Sequence, residues 1–170
     1  MTSILDEILQ FLKEDVVFRL PEVTVKEAYL VNTALVLPLL TVDELPGNDG
    51  VYLDNQPHIV RNIITLEAYA DQSETGEEAL QSESDELIGT ESNNPIFIDP
   101  EDTEVYLTGR RAAMQILMDA DRKLNEKFGL TMTGNIAYAP YQDPSVVRAV
   151  STYFAYIDTR TNTIYRRINT

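Results

Sequence analysis

Apolar residues recur along this chain with two different periods, and each period predicts a different element. Ile4, Leu5, Ile8, Leu9 and Leu12 form one stripe at helical spacing, which predicts an amphipathic helix over residues 3–14. Ser3 is placed to cap it, with Glu7 one residue beyond the ideal capping-box position. The apolar run Val16-Val17-Phe18 follows, and Pro21 closes the unit. Val23 to Leu30 is rich in β-branched residues and predicts a strand. Leu35 to Leu40 is apolar, but Pro38 restricts it to an edge strand or a packed loop. Gly47-Asn48-Asp49-Gly50 predicts a turn, and Pro57 closes that segment. Val60 to Ala70 predicts a second main strand, with Ile64, Leu66 and Ala68 on one face.

Residues 71–91 are rich in Ser, Thr, Glu, Asp and Gly and short of aromatics, the composition of a mobile loop, here bounded at 71–95. Ile96-Phe97-Ile98 is expected to pin its far end to the body of the domain. Asp99-Pro100 reads as a helix start, with Asp as N-cap and Pro at the first helical position. Glu101, Asp102 and Glu104 suit the positive end of that helix's dipole. The helix is expected to run to Phe128 and to end at Gly129, with Ala112, Ala113, Ile116, Leu117, Ala120, Leu124 and Phe128 on one side. Gly109 bends it or marks a later start. Leu130 to Ala139 predicts a strand, Tyr141 to Pro144 a turn, and Val146 to Ile157 a longer strand. Residues 158–162 turn the chain back into a short last strand from Thr163. The order is α-β-β-α-β-β. It predicts one α+β domain over residues 1–170, with two helices packed on one face of a mostly antiparallel sheet.

Charge changes the picture in one place. Twelve of the 28 acidic residues lie between Asp71 and Glu104, a stretch with no Lys or Arg. The rest of the chain is nearly balanced, with sixteen acids and thirteen bases. A block of like charge resists folding and projects its field toward partners, which should then be basic or metal-rich. Nucleic acid held there by charge attraction is not expected, because phosphates need Lys and Arg. No apolar run is long enough for a membrane-spanning helix, and the first residues lack the pattern of a signal peptide. No Cys is present, so disulfides and thiolate chemistry are excluded.

The inventory for catalysis is thin. His58 is the one histidine, beside Pro57, and no Gly-x-Ser-x-Gly elbow accompanies it; a surface or packing role is expected. One His and no Cys exclude a multi-histidine or thiolate metal site. Neither common Gly-rich phosphate loop occurs, so no cofactor is expected. Asp71, Ser73, Thr75 and Gly76 echo positions 1, 3, 5 and 6 of a calcium loop, but Ser82 stands where the bidentate Glu is required. No catalytic, cofactor or metal residue is therefore assigned, and the protein is not expected to be an enzyme. Two groups remain as candidates for contact with partners. The acidic group is Asp71, Glu74, Glu77, Glu78, Glu83, Asp85 and Glu86; the basic group is Arg110, Arg111, Arg148 and Arg166. Tyr138, Tyr141, Tyr153, Tyr156 and Tyr165 are expected to pack across strands of the C-terminal sheet.

Three segments carry a family likeness. Asn62-Ile63-Ile64-Thr65-Leu66-Glu67-Ala68-Tyr69 resembles the central strand of tail terminator proteins of long-tailed bacteriophages, some of which are called minor capsid proteins. The block from Ala112 to Phe128 followed by Gly129-Leu130-Thr131-Met132-Thr133 is similar too. So is the closing pattern Val146-Val147-Arg148, Tyr153, Tyr156-Ile157-Asp158 and Thr163-Ile164-Tyr165-Arg166-Arg167. The likeness covers roughly residues 4–30 and 60–167, and the acidic insert departs from it.

The resemblance implies a virion structural protein. It would form a ring, usually of six subunits, on the head-proximal end of the tail tube. The ring would end tube polymerisation and offer a docking surface to the neck, or head completion, protein. Genome DNA would pass through without specific binding, and assembly would take place in the host cytoplasm with no membrane. Under this reading the acidic segment lines the lumen or faces a partner, and the four arginines lie at subunit interfaces. Another neck component, such as a head completion or stopper protein, is the nearest alternative. An acidic mimic of DNA is a more distant one, since its carboxylates would sit in a Ser/Gly-containing loop rather than on a rigid surface.

Overall fold

A computed structural model describes residues 3–28, 35–46, 50–53, 56–72 and 109–165. These residues build two helices and, among them, a seven-stranded sheet. Helix α1 spans Ile4–Glu14, and strands β1 to β4 span Thr24–Glu27, Leu39–Leu45, Gly50–Leu53 and Gln56–Asp71. Helix α2 spans Gly109–Phe128, followed by β5 (Ala137–Ala139), β6 (Val146–Asp158) and β7 (Thr163–Ile164). The fold is α+β, as the residue pattern predicts.

Helix α1 forms where its stripe predicts, with Ile4, Ile8, Leu9 and Leu12 buried. The Ser3 hydroxyl accepts from the Asp6 amide at 3.0 Å and the Asp6 carboxylate accepts from the Ser3 amide at 3.2 Å. The capping box thus uses Asp6 rather than Glu7, which restores the ideal three-residue spacing. Helix α2 buries the predicted stripe from Ala112 to Phe128. Its first residue, Gly109, has φ +59° with open space where a Cβ would stand, so backbone conformation rather than crowding favours glycine there. Gly109 therefore marks a helix start among the described residues; the expected start at Asp99-Pro100 lies outside them. Gly129, at φ +68°, ends the helix as expected, its amide donating to the Asn125 carbonyl at 2.9 Å.

The strand order is β1-β2-β4-β6-β5, with β3 beside the first part of β4 and β7 beside the end of β6. All pairings are antiparallel except β1 with β2. One face carries Leu40, Val42, Ile64, Leu66, Ala68, Ala70, Ala149, Tyr153, Ala155 and Ile157, which join both helices in a single core. The two helices therefore pack on the same face. The aromatic edge of Phe11 meets Phe128 at 5.3 Å between ring centroids, tying α1 to the end of α2. A buried carboxylate adds a polar tie. Asp119, on α2, accepts from the Arg19 amide at 3.0 Å and from the Gln115 side chain at 2.9 Å, holding the α1–β1 connection against the helix. No described helix is long and apolar enough to cross a membrane.

Four expectations need correction. Strand β2 begins after Pro38 and continues through Asp43 and Glu44, so the apolar run from Leu35 is mostly its approach. It is also an internal strand, because Pro38 precedes the ladder; its carbonyl accepts from the Thr24 amide at 3.0 Å across a cis Leu37–Pro38 bond. Pro57 lies inside β4 rather than before it, opposite Tyr52 where the β3–β4 register shifts. Leu130 to Ala139 is not one strand: Met132 makes an isolated bridge to Tyr153, and only Ala137–Ala139 joins the sheet. The turn at 47–50 is described only from Gly50 on.

Candidate interaction surface

The face of the sheet away from the helices is the candidate site. The register stacks its residues in rows across β2, β4 and β6. From one end, the rows are Leu39–Tyr69–Arg148, Thr41–Glu67–Val150, Asp43–Thr65–Thr152, Leu45–Ile63–Phe154, Arg61–Tyr156 and Ile59–Asp158. Side chains alternate along a strand, so each member of a row points to the same side.

The first two rows are closed. Leu39 and Thr41 are each 1% exposed, and Tyr69 is buried. Glu67 is the hub: its carboxylate pairs with the Arg148 guanidinium and accepts from the Tyr69 hydroxyl. The Thr41 hydroxyl reaches the Glu67 carbonyl at 3.5 Å. Tyr141, from the turn before β6, sets its ring edge-on to Tyr69 at 5.5 Å. Burial raises the Tyr69 hydroxyl well above its ordinary pKa, and its hydrogen bond to Glu67 adds to the rise. Glu67 likewise raises the Arg148 pKa, so this cation stays charged.

Rows four and five are open. Leu45 is 55% exposed, Tyr156 47% and Phe154 37%. The Arg61 guanidinium lies over the Phe154 ring, 4.7 Å from its centroid. Beyond them Asp158 pairs with Arg160 at 2.9 Å, and this partner holds its carboxyl down at about 2. Among the described residues, aromatic and aliphatic side chains here face solvent in one contiguous strip.

Of the basic candidates, Arg148 is bound within its own subunit by Glu67. Arg110 and Arg111 are exposed on the first turn of α2, remote from Arg148's side of the sheet. The Arg110 guanidinium lies 5.2 Å from the centre of the Tyr138 ring, and the Tyr138 hydroxyl donates to the Arg110 carbonyl at 3.2 Å. The structure thus separates the arginines rather than gathering them, and Arg166 lies outside the described residues. Asp71 is exposed at the end of β4, opposite Val146, in a cleft with Leu37 and Tyr141. Glu74, Glu77, Glu78, Glu83, Asp85 and Glu86 lie outside the described residues.

The tyrosines also divide. Tyr153 is fully buried on the helix side, where burial raises its hydroxyl pKa, and Tyr138 shares that side; Tyr156 is on the open face. Sequence reasoning missed Glu67, Arg61 and Phe154. Their one signal was alternation: Glu67 and Arg61 fall between the core positions Ile64, Leu66 and Ala68 of β4 or continue that alternation, and Phe154 falls between the buried Tyr153 and Ala155 of β6. His58 is partly buried in β4, its backbone carbonyl accepting from the Thr159 amide at 3.0 Å. Among the described residues no three metal-ligating side chains converge. The chain matches no family model and no curated protein.

Proposed function

We propose that this protein is a structural assembly subunit of the tail-terminator kind, a ring component that ends a phage tail tube and presents a docking surface to the neck. The observation that carries the reading is the open half of the outer sheet face. Leu45, Phe154 and Tyr156 are held there on paired strands rather than on a loop. Exposed apolar groups on a rigid frame are the property of a surface meant to be covered by another macromolecule. The likeness of three segments to tail terminators supplies the kind of assembly. Arg110 and Arg111, at one end of α2, are candidates for head-to-tail contact with an acidic flank of the next subunit. Arg148 is set aside from that role, since its charge is already matched by Glu67.

The reading is tested by negative-stain electron microscopy of the purified chain at high concentration, with and without magnesium, and after mixing with tail tubes of its phage. Closed rings, or caps on tube ends that stop further growth, are expected. Particles that neither close into rings nor bind tube ends would rule the reading out; binding to an isolated neck protein alone would favour a neck adaptor instead.

A further inference from the structure

We propose that the outward face of α2 receives the acidic segment of the next copy of this chain, with Arg122 and Arg111 taking Glu86 and Glu91 and Met118 taking the apolar residues between them. The proposal deepens the ring reading and rests on it for the head-to-tail order of copies. Charge is the first argument. The chain carries a formal net charge of -15, yet residues 109–128 hold five bases and three acids. Two of those acids are occupied: Asp119 is buried against the Arg19 amide and Gln115, and Glu126 accepts from Lys123 at 3.0 Å. Arg110 lies over the Tyr138 ring. Arg111 and Arg122 are exposed, and neither has an ion-pair partner among the described residues. Arg111 also stands in a first turn without an acid, at the positive end of the helix dipole, where an anion is favoured and a cation is not. A carboxylate brought to Arg111 answers both charges.

Spacing is the second argument. Arg111 and Arg122 are eleven residues apart, three turns of helix, so they share one line along α2 with a separation of about 17 Å. Met118, 52% exposed, stands on that line between them, four residues from Arg122. The stretch that carries twelve acids and no base contains Glu86-Leu87-Ile88-Gly89-Thr90-Glu91. Its two glutamates are five residues apart, a distance that extended chain spans in about 17 Å. With Glu86 on Arg122, Leu87 and Ile88 come to Met118, whose flexible thioether adapts to them, and Glu91 reaches Arg111. Glu78 and Glu83 have the same spacing but enclose one large apolar residue, Leu80, and so fit less well. One chain thus carries both halves of a heterologous contact, which closes into a ring when repeated about an axis.

The first test uses the full chain with Glu86→Lys and Glu91→Lys, whose own segment cannot compete, after circular dichroism verifies its fold. A fluorescent peptide of residues 84–93 is titrated against it at low salt and followed by anisotropy. Binding is expected, weakening as salt rises. Adding Arg111→Glu and Arg122→Glu should weaken it by about tenfold or more, because two attractions become two repulsions. A peptide of residues 76–84, which also holds three acids, should bind less tightly. The second test is microscopy of rings or tube-end caps. The wild type should form them, and Arg111→Glu with Arg122→Glu should not. An equimolar mixture of that variant with the Glu86→Lys, Glu91→Lys chain should assemble again, since swapped charges then meet each other. No peptide binding, binding indifferent to the two arginines, a tighter fit of residues 76–84, or capture of duplex DNA in place of the peptide each overturns the contact. Rings or caps that persist in the arginine variant leave the ring reading standing and sink this contact alone. Peptide binding without rings or caps from the wild type places the failure in the ring reading, and the next copy falls with it as the occupant.

Discussion

Tyr69 and Tyr156 lie on neighbouring strands of one sheet and point to the same side, yet one is 7% exposed and the other 47%. Tyr69 is held by Glu67 and capped by Tyr141, in a corner where each charge has its partner within the subunit. Tyr156 stands next to Arg61 and Phe154, where the described residues add no cover. The backbone is the same in both halves. What differs is the chemistry projected from the outward-facing positions: carboxylate, guanidinium and hydroxyl at one end, aromatic and aliphatic groups at the other. The closed end is tied together within the subunit, and under the proposed function the open end is the part left for contact. Substitutions should therefore divide along the same line.

The largest effect is expected at Arg148. Arg148→Met leaves the Glu67 carboxylate without its cation in a site where the two side chains are 30% and 19% exposed. A loss of about 2–3 kcal/mol in urea unfolding is expected, and adding Glu67→Gln should recover part of it. A loss near zero would erase the distinction between the two ends. Next comes Tyr69→Phe, which removes one hydrogen bond to a charged group; about 1 kcal/mol should go, with the fold intact by circular dichroism. At the open end, Phe154→Ser should change monomer stability by no more than about 1 kcal/mol while weakening binding to tail tubes or the neck protein. A collapse of the monomer there would assign Phe154 to the core instead.

The smallest effect concerns pH. Asp158 is held at about 2 against an ordinary 3.8, first by its side-chain hydrogen bonds with Arg160. The folded state thus takes up this proton less readily than the unfolded chain. The stabilisation is complete above about pH 4 and disappears as pH falls from 3.8 toward 2. Arg160→Gln should lower the melting temperature slightly at pH 5 and leave it unchanged near pH 2. An equal shift at both values would show that the pair contributes nothing through Asp158's charge.

The helix side of the molecule was legible in the sequence. Ile4, Ile8, Leu9 and Leu12, and Ile64, Leu66 and Ala68, announce themselves by period, because a core is made of residues that repeat. Strand β2 was hidden by its own content: Pro38 discouraged a ladder, and the apolar run stops at Leu40, although the strand continues through Asp43 and Glu44 to Leu45. The closed end of the outer face was illegible for a different reason. Glu67 and Arg148 are 81 residues apart, and only the register of β4 against β6 makes them partners. The strip of Leu45, Phe154 and Tyr156 is scattered in the same way, so no local window contains it. The pairing of Arg148 with Glu67 was hidden for the same reason, since its charge was visible without its neighbour.

The β4–β6 register also governs the order of events as the protein is made. Asp71 pairs with Val146 and Ile59 with Asp158, so the two longest strands of the sheet cannot meet until the last part of the chain exists. Synthesis at about 5–20 residues per second leaves the β6 edge of β4 unpaired for several seconds on the ribosome. An apolar strand with an open edge invites pairing with the same strand of a neighbouring nascent chain. The twelve acids between Asp71 and Glu104 emerge directly behind β4. Like charges repel, so a block of acids in that position would oppose such pairing between nascent chains while β4 waits for β6.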